Sequence, residues 1–228
     1  MNRQELLAAG TAGLLLAAAP SSGPADIPNL GKPLTAPKDS SAINVAILIS
    51  DRATVIDFAG PWEVFQDGGF TPFTVAKTLD PVTATAGLTI VPNYTFETAP
   101  HAHVVVVGAQ KGTPDGVAWL REVSPKADVA MSVCTGAFQM ARTGLLDGLY
   151  ATTHHLFYDK FAAEFPKVKL VRGKRFVENA QISSAGGLTS GMDLALRVYE
   201  RYYGAEHTKN LAYYLEYKRT QRPELKQA

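Results

Sequence analysis

The chain holds a single cysteine, Cys134, and its setting is where the sequence can do chemistry. The apolar run ADVAMSV (Ala127 to Val133) reads as a buried strand, and Thr135 to Leu145 reads as a helix opening on the small residues Thr135, Gly136 and Ala137. Cys134 is left alone on the turn between them, which is the geometry of a nucleophile elbow. A side chain there projects from the carboxyl edge of a sheet, at the positive end of a helix dipole. That setting favours the thiolate, the nucleophilic form, and the small residues after it let a substrate approach backbone N–H groups. Position alone leaves an inert, buried thiol as an equal alternative, because free cysteine is among the most buried residue types.

Other residue types that can titrate or coordinate are less well placed. His154 and His155 fall on a loop, where imidazole serves a reactive site and a backbone-bonded turn equally well. Asp57 precedes an apolar helix pattern and, as a residue type, suits an N-cap. Glu63 falls inside that helix and reads as a structural carboxylate. Five scattered histidines without paired cysteines give no zinc-ligand spacing, so no metal is expected.

These residues need a scaffold, and the composition supports one. The chain has 228 residues, 46% of them apolar and 9% aromatic, with 22 Lys+Arg against 21 Asp+Glu. A formal charge of +1 is too balanced to drive binding to nucleic acid or to an anionic membrane surface, and the apolar content excludes a disordered chain. Residues 1–25 carry one Arg before an apolar run from Leu6 to Ala19, and read as a signal peptide cleaved after Ala19 or Ala25. The order Asn2-Arg3-Gln4-Glu5-Leu6-Leu7 is similar to a twin-arginine export signal with Gln4 in place of its second arginine. A periplasmic or secreted location follows, with membrane contact only through that signal; an uncleaved N-terminus would leave the protein cytoplasmic. Residues 26–42 read as an extended, solvated proline-rich linker, and 43–228 as one α/β domain.

Within that domain, apolar runs alternate with helical patterns. INVAILIS (Ile43 to Ser50), Phe70 to Thr78, HVVVVGA (His103 to Ala109) and Ala127 to Val133 read as strands. DFAGPWEVFQDGG reads as a helix with Asp57 before it, Pro61 in its first turn and Gly68-Gly69 at its end. VAWLREV, Thr135 to Leu145, Leu156 to Phe165 and Ser190 to about Lys218, interrupted near Gly204, supply the other helices. Ala84 to Phe96 suggests a hairpin or an irregular excursion, and a two-stranded ribbon is expected across Arg172-Gly173-Lys174. The fold class is a three-layer α/β sandwich, a mostly parallel, flavodoxin-like sheet flanked by helices.

Three stretches, TVIDFAGPWEVF, SVCTGAFQMARTGLLDGLYATTHH and SSAGGLTSGMDLALRVYERYYG, resemble in order the PfpI-type, class I glutamine-amidotransferase-like superfamily, and within it the isonitrile hydratase branch. The resemblance spans about Ile43 to Lys218. It implies a cofactor-independent enzyme in which Cys134 attacks an isocyanide carbon, Asp57 exchanges protons, and Thr135 offers a hydroxyl and an N–H beside the sulfur, giving an N-substituted formamide. It also implies a homodimer acting on a small-molecule substrate, with Gly108, Ala109, Gly136, His154 and Gly187 around that substrate. Family members commonly carry Pro-Gly-Gly where this chain has Gly108-Ala109-Gln110, so Gln110 either narrows the pocket or adds a hydrogen bond. Protease-like members have histidine directly after the cysteine, and Thr135 in that place disfavours peptidase action. The same resemblance includes AraC-type regulators, in which the domain senses a ligand or redox state, and glyoxalase or deglycase-like members.

Overall fold

The structure, a computed structural model, describes residues 31–217. The expected signal peptide, residues 1–25, lies outside the described residues. Along the chain come β1 (Asn44–Leu48), α1 (Val55–Asp67), β2 (Thr71–Ala76), β3 (Val82–Thr83), β4 (Thr89–Ile90), β5 (Tyr94–Thr95), β6 (Val104–Val107) and α2 (Pro114–Val123). They are followed by β7 (Val129–Val133), α3 (Gly136–Arg142), β8 (Tyr150–Ala151), α4 (Tyr158–Glu164), β9 (Lys169–Leu170), β10 (Phe176–Val177), β11 (Ile182–Ala185) and α5 (Ser190–Tyr214).

Seven strands form the central sheet in the order β10-β11-β7-β6-β1-β2-β5. Every pairing is parallel except β10 with β11. The continuous apolar runs follow from burial on both faces. Val45, Ile47, Val104, Val106 and Met131 join α1 and α5 in one core, whereas Ala46, Leu48, Val105, Val107 and Ala130 join α2, α3 and α4 in the other. This is the expected three-layer α/β sandwich, and it brings the carboxyl ends of β1, β6, β7 and β11 side by side.

The structure differs from the sequence reading at three places. First, α1 starts at Val55, so Asp57 lies inside its first turn rather than capping it, and Pro61 sits mid-helix. Thr54 takes the cap position instead, fastened by its N–H to the Ala109 carbonyl at 2.8 Å. Second, no ribbon forms across Gly173: β9 pairs in parallel with β8, and β10 turns back on β11. Two-residue strands carry no alternation to read. Third, the described part of the proline-rich linker is docked on α5. Leu34 N–H donates to the Arg201 carbonyl at 2.6 Å, Arg201 Nε donates to the Lys32 carbonyl at 2.9 Å, and Leu34 and Ala36 pack on the core. Arg201 is 4% exposed, and a buried guanidinium recruits the carbonyls within its reach. Val82 to Ile90 does form a hairpin, and α5 is broken at Gly204, where φ is 80°.

Candidate active site at the cysteine elbow

Cys134 occupies the turn from β7 into α3 with φ of 59°, a left-handed conformation uncommon for a residue with a Cβ. Its backbone holds it there. The Cys134 N–H donates to the carbonyls of Gly186 at 2.7 Å and Ala185 at 3.2 Å, and its own carbonyl accepts from Thr153 Oγ1 at 2.8 Å. Gly136 is what lets the elbow close. A Cβ there would sit 2.2 Å from the Val107 carbonyl oxygen, so only glycine lets α3 start this close to β6.

Asp57 faces the thiol from α1 and is fully buried. Its Oδ2 accepts the Ala109 N–H at 3.0 Å. The Cys134 thiol and the Leu188 N–H both bear on the carboxyl. Gly108 permits the approach, since a Cβ on it would lie 2.8 Å from the Cβ of Asp57. Burial pushes Asp57 up to about 6, against the opposing pull of the Ala109 N–H, the thiol and the Leu188 N–H.

The sulfur itself departs from the sequence expectation. Cys134 is 7% exposed, and burial, followed by the negative charge of Asp57, pushes its thiol up to about 12. The Thr135 and Leu188 N–H groups pull the other way without prevailing. The resting residue is therefore a thiol and not the protruding thiolate that a helix dipole suggested. With only seven residues, α3 contributes a modest field, and desolvation beside a carboxylate outweighs it. At neutral pH the pair carries one negative charge on Asp57 and one proton on sulfur.

The remaining candidates divide by what they touch. Thr135 caps α3 without a side-chain cap bond, and its N–H serves the sulfur. Ala109 spends its N–H on Asp57, so in the resting state this amide orients the acid. Gln110 turns back, its Oε1 accepting the Ser50 N–H at 2.8 Å. His154 lies on Gly187, whose Cβ would meet its Cδ2 at 2.1 Å, and its Nδ1 accepts the Leu156 N–H at 3.3 Å. Burial and then the neighbouring His155 lower its pKa, so its ring is neutral at physiological pH. Thus His154 and Gly187 adjoin the turn that covers the sulfur. Glu63 is exposed on the outer face of α1.

Sequence reasoning passed over Leu188. Its N–H reaches both the Cys134 thiol and the Asp57 carboxyl, and its φ of 54° aims it there. The contribution comes from the backbone, so the residue type gives no signal; only the flanking Gly186-Gly187 hints at an unusual turn. A crevice of about 230 Å³ lies elsewhere on the same edge, lined by Ser50, Lys77, Phe96, Asp115 and Gln139 among others, and neither Cys134 nor Asp57 borders it.

Comparison with known proteins places this geometry. Residues 43–201 match the model of the DJ-1/PfpI family. An isonitrile hydratase from Pseudomonas putida is 29% identical over 184 residues, covering 77% of this chain and 79% of its own. The transcriptional regulator GbdR from Pseudomonas aeruginosa is 26% identical over 75% of this chain but only 49% of its own length. Among solved structures, a THiJ/PfpI family protein from Pseudomonas syringae aligns with a TM-score of 0.71 at 27% identity, covering 94% of this chain and 88% of its own. Drosophila melanogaster DJ-1beta shares the fold, with a TM-score of 0.65 at 15% identity over 78% of this chain and 99% of its own. A matched model covering well over half of the chain, on a fold with the same layers, establishes that the chain belongs to the DJ-1/PfpI family.

Proposed function

We propose that this protein hydrates a small electrophile through Cys134, with an isonitrile as substrate and an N-substituted formamide as product. The observation that carries the reading is the buried pair itself: a thiol and a carboxyl of raised pKa sharing one proton at a strained elbow. Likeness to the Pseudomonas putida isonitrile hydratase supports the choice of substrate. Threonine rather than histidine after the cysteine argues against a Cys-His hydrolase.

The chemistry follows from the proton inventory. As sulfur bonds to the terminal isonitrile carbon, its proton passes to the Asp57 carboxylate and from there to that carbon. The carbon–nitrogen triple bond becomes a double bond in a thioimidate. With a pKa near 6, Asp57 is basic enough to accept the proton and acidic enough to return it. Water then adds to the thioimidate carbon, giving one proton to nitrogen, and the carbon–sulfur bond breaks. Sulfur regains a proton as the formamide leaves, so water is the only co-reactant consumed. The Thr135 and Leu188 N–H groups favour the anionic sulfur at both ends of the cycle.

Purified protein mixed with an alkyl isonitrile, followed by the formyl proton signal in NMR, tests the proposal. Formamide produced by the wild type and not by Cys134→Ala supports it. No formamide from the wild type overturns it and leaves a non-catalytic sensing role, for which the likeness to the transcriptional regulator GbdR speaks. Homodimer formation and export through residues 1–25 belong to the same proposal.

A further inference from the structure

We propose that Arg175 is a positioning residue for the elbow: it fixes the Gly186–Thr189 turn through which the backbone holds and polarises Cys134. This rests on reading Cys134 as the reacting group. The turn supplies two of the elbow's contacts, the Gly186 carbonyl that accepts the Cys134 N–H at 2.7 Å and the Leu188 N–H directed at sulfur and carboxyl. Leu188 is left-handed and 44% exposed, so its own packing does little to hold it in that conformation.

Arg175 grips the turn at both ends. Its carbonyl accepts the Gly186 N–H at 2.8 Å. Its Nη2 donates to Thr189 Oγ1 at 3.1 Å and to the Tyr217 hydroxyl at 3.4 Å, and that hydroxyl donates to the Thr189 carbonyl at 3.2 Å. Its Nε pairs with Asp193, a carboxylate in the first turn of α5 that is 1% exposed. A carboxylate so buried keeps its cation in place, which fixes the direction of the guanidinium fork.

Thr189 supplies the second line of argument. It stands at the N-cap of α5, where a threonine oxygen ordinarily accepts a helix N–H, and it makes no such bond. Its hydroxyl is turned to Arg175 instead, so the cap bond ordinary for threonine at this position is given up for a contact that stiffens the turn. A planar fork reaching Asp193 and Thr189 together is a task for arginine, because one ammonium cannot span both directions.

Two variants test this, with Cys134 alkylation by iodoacetamide measured across neutral to alkaline pH and the thermal midpoint recorded alongside. Thr189→Val removes the guanidinium's bond to the turn's side chain and leaves the Arg175–Asp193 pair and the backbone contacts intact. Arg175→Lys keeps a cation for Asp193 without the fork. Both are expected to be alkylated roughly three- to tenfold more slowly at any given pH, as a thiol titration displaced upward once the Leu188 N–H no longer favours the thiolate. The midpoint of Thr189→Val is expected to stay within a few degrees of wild type. Support requires the slower rate in both variants. Wild-type rates, faster rates, or a fall in Arg175→Lys alone overturn the proposal and leave Arg175 a purely structural role. Alkylation needs no isonitrile, so the outcome is independent of whether the hydration reaction is found.

Discussion

Replacing Asp57 with asparagine separates two effects that one carboxyl exerts in opposite directions. Burial raises Asp57 from 3.8 to about 6. A carboxyl whose folded pKa exceeds its unfolded one stabilises the fold while protonated; that contribution is complete below about pH 4 and is lost as pH rises through about 6. A displacement of roughly two pKa units corresponds to about 3 kcal/mol of stability forfeited at neutral pH. Asparagine carries no charge and keeps an oxygen for the Ala109 N–H, but it sets an amide donor toward the Leu188 N–H, so only about 1–2 kcal/mol should return. At about 2–4 °C per kcal/mol for a domain of this size, Asp57→Asn should melt about 2–8 °C above wild type at neutral pH. The difference should shrink toward about pH 4, where the wild-type carboxyl is protonated.

The same change acts on sulfur. After burial, the Asp57 charge is the largest influence holding the Cys134 thiol near 12. Two unit charges in contact at an effective dielectric of about 20 interact by about 4 kcal/mol, roughly three pKa units, and a fall of about one to two units is expected after relaxation. Alkylation of Asp57→Asn by iodoacetamide should therefore be about ten- to a hundredfold faster at neutral pH, while the proposed isonitrile turnover should drop by about 10²–10⁴-fold for want of a proton carrier. A more reactive thiol in a more stable but inactive protein is an unusual combination. An alkylation rate equal to or below wild type would refute the claim that Asp57 suppresses the resting thiolate.

Three further substitutions probe the backbone around the sulfur. Cys134→Gly should be more stable than Cys134→Ala by about 0.5–1 kcal/mol in denaturant titration, because φ of 59° strains any residue with a Cβ. Gly136→Ala drives a methyl to 2.2 Å from the Val107 carbonyl, and α3 must shift; a loss of about 3 kcal/mol or more is expected by thermal melting. Gly108→Ala places its Cβ 2.8 Å from that of Asp57, so the carboxyl is displaced from the thiol. Its thiol titration, followed by ultraviolet thiolate absorbance, should move down toward the ordinary cysteine range as the Asp57 charge recedes.

The sequence by itself determined the layers and the elbow. Runs such as VVVV at 104–107 and VAMSV at 129–133 are apolar at consecutive positions because both faces of the sheet are covered, and that pattern is local. A lone cysteine between such a strand and the small residues Thr135, Gly136 and Ala137 marks the turn without any tertiary information. Asp57 was legible as a candidate through its motif, but its place within α1 was not, since the helix begins before the residues that look like its cap.

Only the tertiary structure decided the charge state and the supporting contacts. Whether Cys134 rests as thiol or thiolate depends on how deeply it is buried and on a carboxylate 77 positions away in the chain (134 − 57), and neither quantity has a local signature. The Leu188 N–H belongs to the backbone and carries no residue identity. Arg175, Thr189, Asp193 and Tyr217 have no common signal in the sequence, and they meet because the residue before β10, the start of α5 and a residue just past its end converge on one turn. Local patterns report which atoms want to leave water. Where a proton sits depends on Coulomb and desolvation energies that exist only once distant segments are brought together.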